Sequence, residues 1–294
     1  MVGILWGLIT MFSQFRRTQR SPLLMLGLAM VMSLITGCLE EFKAPSQPEQ
    51  PESVHLQLGN PSDAIANPTS ATNYLITTPE YALSYNEERG TANWASWKLD
   101  QSWLGEADRK NNFRADRTLP EDWYAVDGND FKGSGYDRGH LVPSADRTKT
   151  QDSNSNTFLM INIIPQTPKN NRDTWRRMEE YCRQLVERGY DLYLVAGVYG
   201  DSKKIAAGKV TVPKQTWKVA IAVPTGQNPK TIAPEKALVF AVDIPNTNKL
   251  SNNWRRYQLS IDDLETRTGL DFFEVLPDNL EDILESQKTE APRF

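Results

Sequence analysis

The spacing of apolar positions changes along the chain, and each change predicts an element. Residues 81–85 and 93–98 alternate small, aromatic and β-branched side chains around Glu87-Glu88-Arg89-Gly90, which predicts two strands joined by a turn. Trp94, Trp97 and Trp103 add aromatic bulk beside them. Residues 105–135 are polar and irregular and end in Gly133-Ser134-Gly135. A short strand is expected over 136–142, and the apolar run 157–164 predicts a buried strand closed by Pro165. Residues 171–188 switch to helical spacing: Met178, Tyr181, Cys182 and Leu185 follow i, i+3, i+4, i+7, and Gly189 stands where a C-cap belongs. Apolar, β-branched runs at 192–198, 217–223 and 238–244 predict more sheet. Two short helices, near 251–257 and 260–268, precede a final apolar run at 272–276. Several strands and few helices indicate an α+β fold on a mixed or mainly antiparallel sheet.

The first 72 residues have a different character. Arg16, Arg17 and Arg20 precede an apolar run at 23–34, too short for a confident membrane span, that leads into Leu34-Ile35-Thr36-Gly37-Cys38. Small residues before a cysteine resemble a bacterial lipoprotein signal, with Cys38 lipidated as the first mature residue. An ordinary signal peptide ahead of a secreted protein, or an uncleaved anchor, fits the same run. The layout is more regular from Met11, and the paired arginines are a weak twin-arginine hint. The stretch 38–72 is rich in Pro, Ser, Gln, Glu and Asn and poor in large apolar residues, so it is expected to be a flexible tether that includes His55. Residues 73–294 are then expected to form one domain, exported and tethered to a membrane, facing the periplasm or the exterior.

Composition narrows the chemistry. The 294-residue chain holds 2 Cys and 2 His, too few and too scattered for a zinc site. With Cys38 lipidated no intrachain disulfide is left, and Cys182, on the apolar stripe of its helix, is expected to be a buried, inert thiol. Losing residues 1–37 would remove Arg16, Arg17 and Arg20 but none of the 37 acids, leaving 30 of the 33 Lys+Arg and a net charge of −7. That balance counts against a nucleic-acid binder, which is usually basic, although an enzyme that must release its product can use a few placed arginines instead of a broad basic face. Outside the tether His140 is the single histidine, in Asp137-Arg138-Gly139-His140. Glu179 and Arg183 flank the apolar stripe of the 171–188 helix, with Arg172 and Arg176 along the same side and Asn171 at its start. Taken singly these are common as a surface ion pair, a cap and solvated arginines, and Arg109 as a loop arginine.

Together they resemble the DNA/RNA non-specific endonuclease family of the ββα-metal (His-Me finger) superfamily, from about Tyr74 to about Pro277. The resemblance is carried by the run from Tyr136 to Arg147, by Asn162 with Ile164-Pro165-Gln166, by Asn170-Asn171-Arg172-Asp173-Thr174-Trp175, and by Glu179 and Arg183, eight and twelve residues beyond Asn171. It implies a ββα-metal core and endonucleolytic hydrolysis of DNA and RNA with little sequence specificity, giving 5′-phosphate ends. It implies His140 as general base, Asn171 as the direct protein ligand of Mg²⁺ (Mn²⁺ a substitute), and Glu179 acting on that ion through water. Arg109, Arg138 and Arg183 would contact phosphates, Asp137 would stand beside the set, and Asn162 would be structural. A catalytically silent surface protein that captures nucleic acid is the alternative, and a toxin or defence nuclease with a cognate protein inhibitor a third. Monomer and dimer both fit.

Overall fold

The computed structural model of the protein describes residues 53–287 and Ala291. The expected targeting segment, Cys38 and residues 38–52 lie outside the described residues. Strands β1 (Tyr74–Thr77), β2 (Ala82–Asn86) and β3 (Thr91–Leu99) form an antiparallel meander with its turn at 87–90. A separate hairpin follows, of β4 (Asp137–His140) and β5 (Ile163–Gln166), with the short polar helix α1 (Gln151–Asn156) between them. Then come α2 (Arg176–Glu187), the long strands β6 (Tyr190–Ile205) and β7 (Val210–Pro224), β8 (Leu238–Pro245), β9 (Gln258–Leu259), α3 (Ile261–Thr268) and α4 (Asp278–Ser286). The large sheet has seven strands in the order β1-β2-β3-β6-β7-β8-β9, all antiparallel. The α+β expectation holds.

Both faces of this sheet are buried, which is why β6, β7 and β8 appear as unbroken apolar runs. Leu192, Leu194 and Ala196 point with Ala220 and Phe240 into the core beneath α2, whose Met178, Tyr181, Cys182 and Leu185 form the opposing stripe. Val195, Trp217, Ile221 and Val239 face the other way, against Leu264, Phe272, Leu280 and Leu284 beside α3 and α4. The helix α2 ends at Glu187, and Gly189 (φ +85°) donates its N–H to the Val186 carbonyl, the left-handed stop expected there.

Two expectations need correction. The run 157–164 is not one strand: a 3-10 turn at Met160–Asn162 intervenes, and β5 begins at Ile163 and runs through Pro165. Buried apolar residues suit either geometry, so composition could not separate them. The final apolar run 272–276 forms neither helix nor strand, and its Phe272, Phe273 and Leu276 are buried. Most consequentially, residues 53–72 are not a tether. His55 is 3% exposed, its Nε2–H donates to the Pro79 carbonyl (2.8 Å), and its Nδ1 accepts the Lys98 N–H (3.2 Å). Leu58 and Ala64 join the core, and Ser62 accepts the Trp94 indole N–H. The polar residues of this stretch are hydrogen-bond partners of the sheet, a use that composition does not reveal.

Candidate active site

The β4–β5 hairpin and α2 position the candidate residues. In β4 Asp137 pairs with Gln166 and His140 with Ile163. Gly139 lies under the Gln166 side chain, where an added Cβ would stand 2.0 Å from Oε1, so the motif needs glycine for close approach. Asn162 is fully buried and fixes the exit of β4. Its Oδ1 accepts the Val142 N–H, and its Nδ2 donates to the carbonyls of Val142 and Thr157. Asn246 ties the hairpin to the large sheet by donating to the carbonyls of Pro165 and Pro213. Between β5 and α2 the chain makes a π-helical stretch, Asn170–Trp175, rather than the uniform helix expected. Such stretches often mark functional sites.

These elements enclose a cleft of about 350 Å³ lined by all six predicted side chains, Arg109, Arg138, His140, Asn171, Glu179 and Arg183. His140 sits at its floor between Phe113 and Phe158, with ring centroids 5.5 and 4.9 Å away. Its Nε2 is enclosed and without a hydrogen-bond partner. Burial, and then the Arg109 guanidinium, push its pKa down to about 3, so the ring is a neutral imidazole.

Asn171 is not free at a helix start. Its Nδ2 donates to Asp137 Oδ2 (2.9 Å), and Arg172 grips the same carboxylate through Nε (2.7 Å) and Nη2 (2.5 Å). Burial alone would raise the Asp137 pKa, but the hydrogen bonds from Arg172 and Asn171 hold it below the usual range. The amide nitrogen is thereby committed, which leaves the amide oxygen as the free donor atom. Asp137 is thus a positioning residue for Asn171.

Glu179 and Arg183 do not form the i, i+4 pair that helices commonly show. Arg183 donates instead to Asp146 (2.7 Å), which is 1% exposed and also accepts the Trp97 indole N–H. Among the described residues no donor hydrogen-bonds the Glu179 carboxylate. Burial pushes its pKa up to about 7, against the opposing pull of Lys218 and Arg183. Lys218 is buried on β7, with its ammonium 5.0 Å from the Trp97 ring centre and 4.5 Å from that of Trp175. Arg109 lies over the Phe158 ring (4.8 Å) and donates to Ser144, while the exposed Arg138 lies over Phe113 (4.4 Å). Asp146 and Lys218 went unnoticed in the sequence. Asp146 sits inside the 136–147 run, which was the available signal, whereas Lys218 lies in an ordinary apolar strand and gave none. Arg147 in the same run is a clamp: it is fully buried and donates to the carbonyls of Glu80, Asp146 and Lys98.

The donor set suits a hard divalent cation. Glu179 is a carboxylate with a raised pKa and no hydrogen-bonded partner, beside an amide oxygen whose orientation Asp137 dictates, and both are oxygen ligands. Arginines dominate the rest of the lining, so the charge that the whole chain lacks is concentrated here.

The sequence and the fold match known nucleases. A family model described as DNA/RNA non-specific endonuclease matches residues 58–279. A nuclease of Nostoc sp. (strain PCC 7120 / SAG 25.82 / UTEX 2576) is 47% identical over 270 residues, 89% of this chain and 97% of that protein. Mitochondrial nuclease EXOG of Homo sapiens is 33% identical over 208 residues, 66% of this chain but 55% of its own length. A solved structure described as the EndoG/EndoGI complex, on the mechanism of EndoG inhibition, superposes with a TM-score of 0.63 at 23% identity. That match covers 77% of this chain and 92% of that one, and it speaks for the fold. With the matched model spanning most of the described chain and the motif residues gathered in one cleft, this protein belongs to the DNA/RNA non-specific endonuclease family.

Proposed function

We propose that the cleft hydrolyses phosphodiester bonds of both DNA and RNA, with little base preference and 5′-phosphate products, and with a divalent cation, Mg²⁺ by the hardness of the donors. The observation that carries this is the neutral, unpartnered Nε2 of His140 at the floor of an arginine-lined cleft that also holds Asn171 and Glu179. Arg109, Arg138 and Arg183 bind the anionic substrate, and Arg183 is held in place by Asp146. A bound phosphate brings negative charge next to His140, which raises its basicity from the low value of the empty cleft and lets Nε2 take a proton from the attacking water. The Asn171 amide oxygen would hold the cation directly and Glu179 through water. When bound, the ion supplies charge neutralisation at the phosphate and at the departing 3′ oxygen. Contacts confined to phosphate carry no base information.

The test is incubation with plasmid and with RNA, with and without EDTA, beside His140→Ala. Cleavage of both polymers that EDTA abolishes is expected, and loss of the base should lower turnover by roughly 10²–10⁴-fold. Binding to a cleavage-resistant phosphorothioate duplex should survive in the variant. If the wild type binds but cuts neither polymer, the protein is a capture protein. Cys38, outside the described residues, supports the further proposal of a lipid anchor: Cys38→Ser should release the protein from membranes, and unchanged fractionation would refute the anchor.

A further inference from the structure

On the sheet face opposite the cleft, α3 and α4 bring Asp262, Glu265 and Glu285 together. Each offers a carboxylate oxygen, and these atoms all lie within 4.8 Å of one another. Three carboxylates this close repel one another when ionised. Among the described residues none of the three forms an ion pair. Glu265 accepts one hydrogen bond, from the Phe272 N–H (2.6 Å). Glu285 is the informative member. It is only 7% exposed, and its Oε1 is enclosed with no hydrogen-bond partner. A buried carboxylate aimed into an acidic cluster needs either a proton or a cation.

We propose that Asp262, Glu265 and Glu285 bind a calcium ion that fastens α4 to α3. The ligands are all carboxylate oxygens, from residues i and i+3 of one helix and from a second helix. Calcium accepts such sets, with waters completing a flexible shell, whereas magnesium demands near-octahedral geometry and seldom occupies an all-protein cage. The site is separate from the catalytic cleft and does not depend on the reaction proposed for it. Its effect is on stability, because the ion neutralises repulsion across the two helices that cover this half of the core.

The experiment uses the full chain carrying Asn171→Ala, so that the catalytic site does not contribute to metal binding. Unfolding temperature is followed in EDTA and across a CaCl₂ titration, with calorimetric titration alongside. Calcium about a hundredfold above its Kd should raise Tm by about 5–10 °C, with one calorimetric site. Adding Glu285→Gln should abolish that rise while leaving Tm in EDTA equal or higher, because the neutral amide needs neither a proton nor a cation at this buried position. Should that variant fail to fold, Asp262→Asn, at an exposed position, should weaken calcium at least tenfold with Tm in EDTA unchanged. No calcium response in the Asn171→Ala chain, or an undiminished response in the Glu285→Gln or Asp262→Asn chain, overturns the site. An equal or larger response to MgCl₂ overturns the calcium assignment.

Discussion

Gly139→Ala is the most direct probe of how the motif is built. The added Cβ would stand 2.0 Å from Gln166 Oε1 and 2.8 Å from Gln166 Cβ and Cδ. Ordinary contact begins near 3.4 Å, so the amide would have to retreat by about 1.4 Å. Gln166 is fully buried and cannot swing into solvent, and its Nε2 bonds Asn170, the neighbour of Asn171. Overpacking of this kind costs about 1–3 kcal/mol. For a domain of this size that is a Tm fall of roughly 2–12 °C. The functional cost should exceed the structural one. A strand shift near 1 Å moves His140, the next residue, and misplacement of that size costs about 10²-fold in rate. Plasmid-cleavage kinetics and thermal unfolding of the single variant read both effects, and a cycle with Gln166 locates their source. Gln166→Ala keeps the Cβ at 2.8 Å and should rescue partly, whereas Gln166→Gly should rescue further. A coupling of about 0.5–3 kcal/mol is expected. Wild-type Tm and kcat in Gly139→Ala, or strictly additive losses in the double variants, would refute the steric account.

Other predictions follow from the same geometry. Asp137→Ala frees the Asn171 amide to rotate, so about 10–100-fold more divalent metal should be needed for half-maximal cleavage, with a smaller loss at saturating metal; an unshifted metal titration would show that Asp137 does not orient Asn171. His55 is held neutral, its pKa pushed down to about 4 mainly by burial, so protonation favours the unfolded chain. Its contribution should be complete above about pH 6.5 and should disappear as pH falls through about 4, a loss of about 3 kcal/mol. Urea unfolding of wild type and His55→Gln at pH 7 and 4.5 measures this, and equal pH dependence in the two proteins would contradict it. Asp146→Asn weakens the grip on Arg183 and should raise KM for DNA at low salt more than it lowers Tm; an unaltered KM would remove the positioning role.

How far the chain could be read without its fold depended on whether an element's pattern reflects a local or a remote cause. The α2 stripe was legible because a helix buried on one side must repeat every 3.6 residues. The strands β6, β7 and β8 were legible as apolar runs, but their alternation was hidden because helices cover both faces of the sheet. The run 157–164 was misjudged because a buried 3-10 turn and a buried strand draw on the same residues. Residues 53–72 were misjudged because their polar groups are satisfied by partners far along the chain, as with His55 and Lys98. Of the six predicted cleft residues, five were identifiable from motif and spacing, and Arg109 came only with the family resemblance.

Their states were not. Residue types and local periodicity are properties of the chain itself, so the sequence alone determined the class of fold, the helix that carries Glu179 and Arg183, and the family to which the motif points. Only the tertiary structure decided that the His140 ring is neutral with its Nε2 unpartnered, that Asp137 commits the Asn171 amide nitrogen, that Asp146 rather than Glu179 holds Arg183, and that three carboxylates converge behind the sheet. Protonation and orientation depend on burial and on charges contributed by other elements, and those distances exist only once the chain has folded.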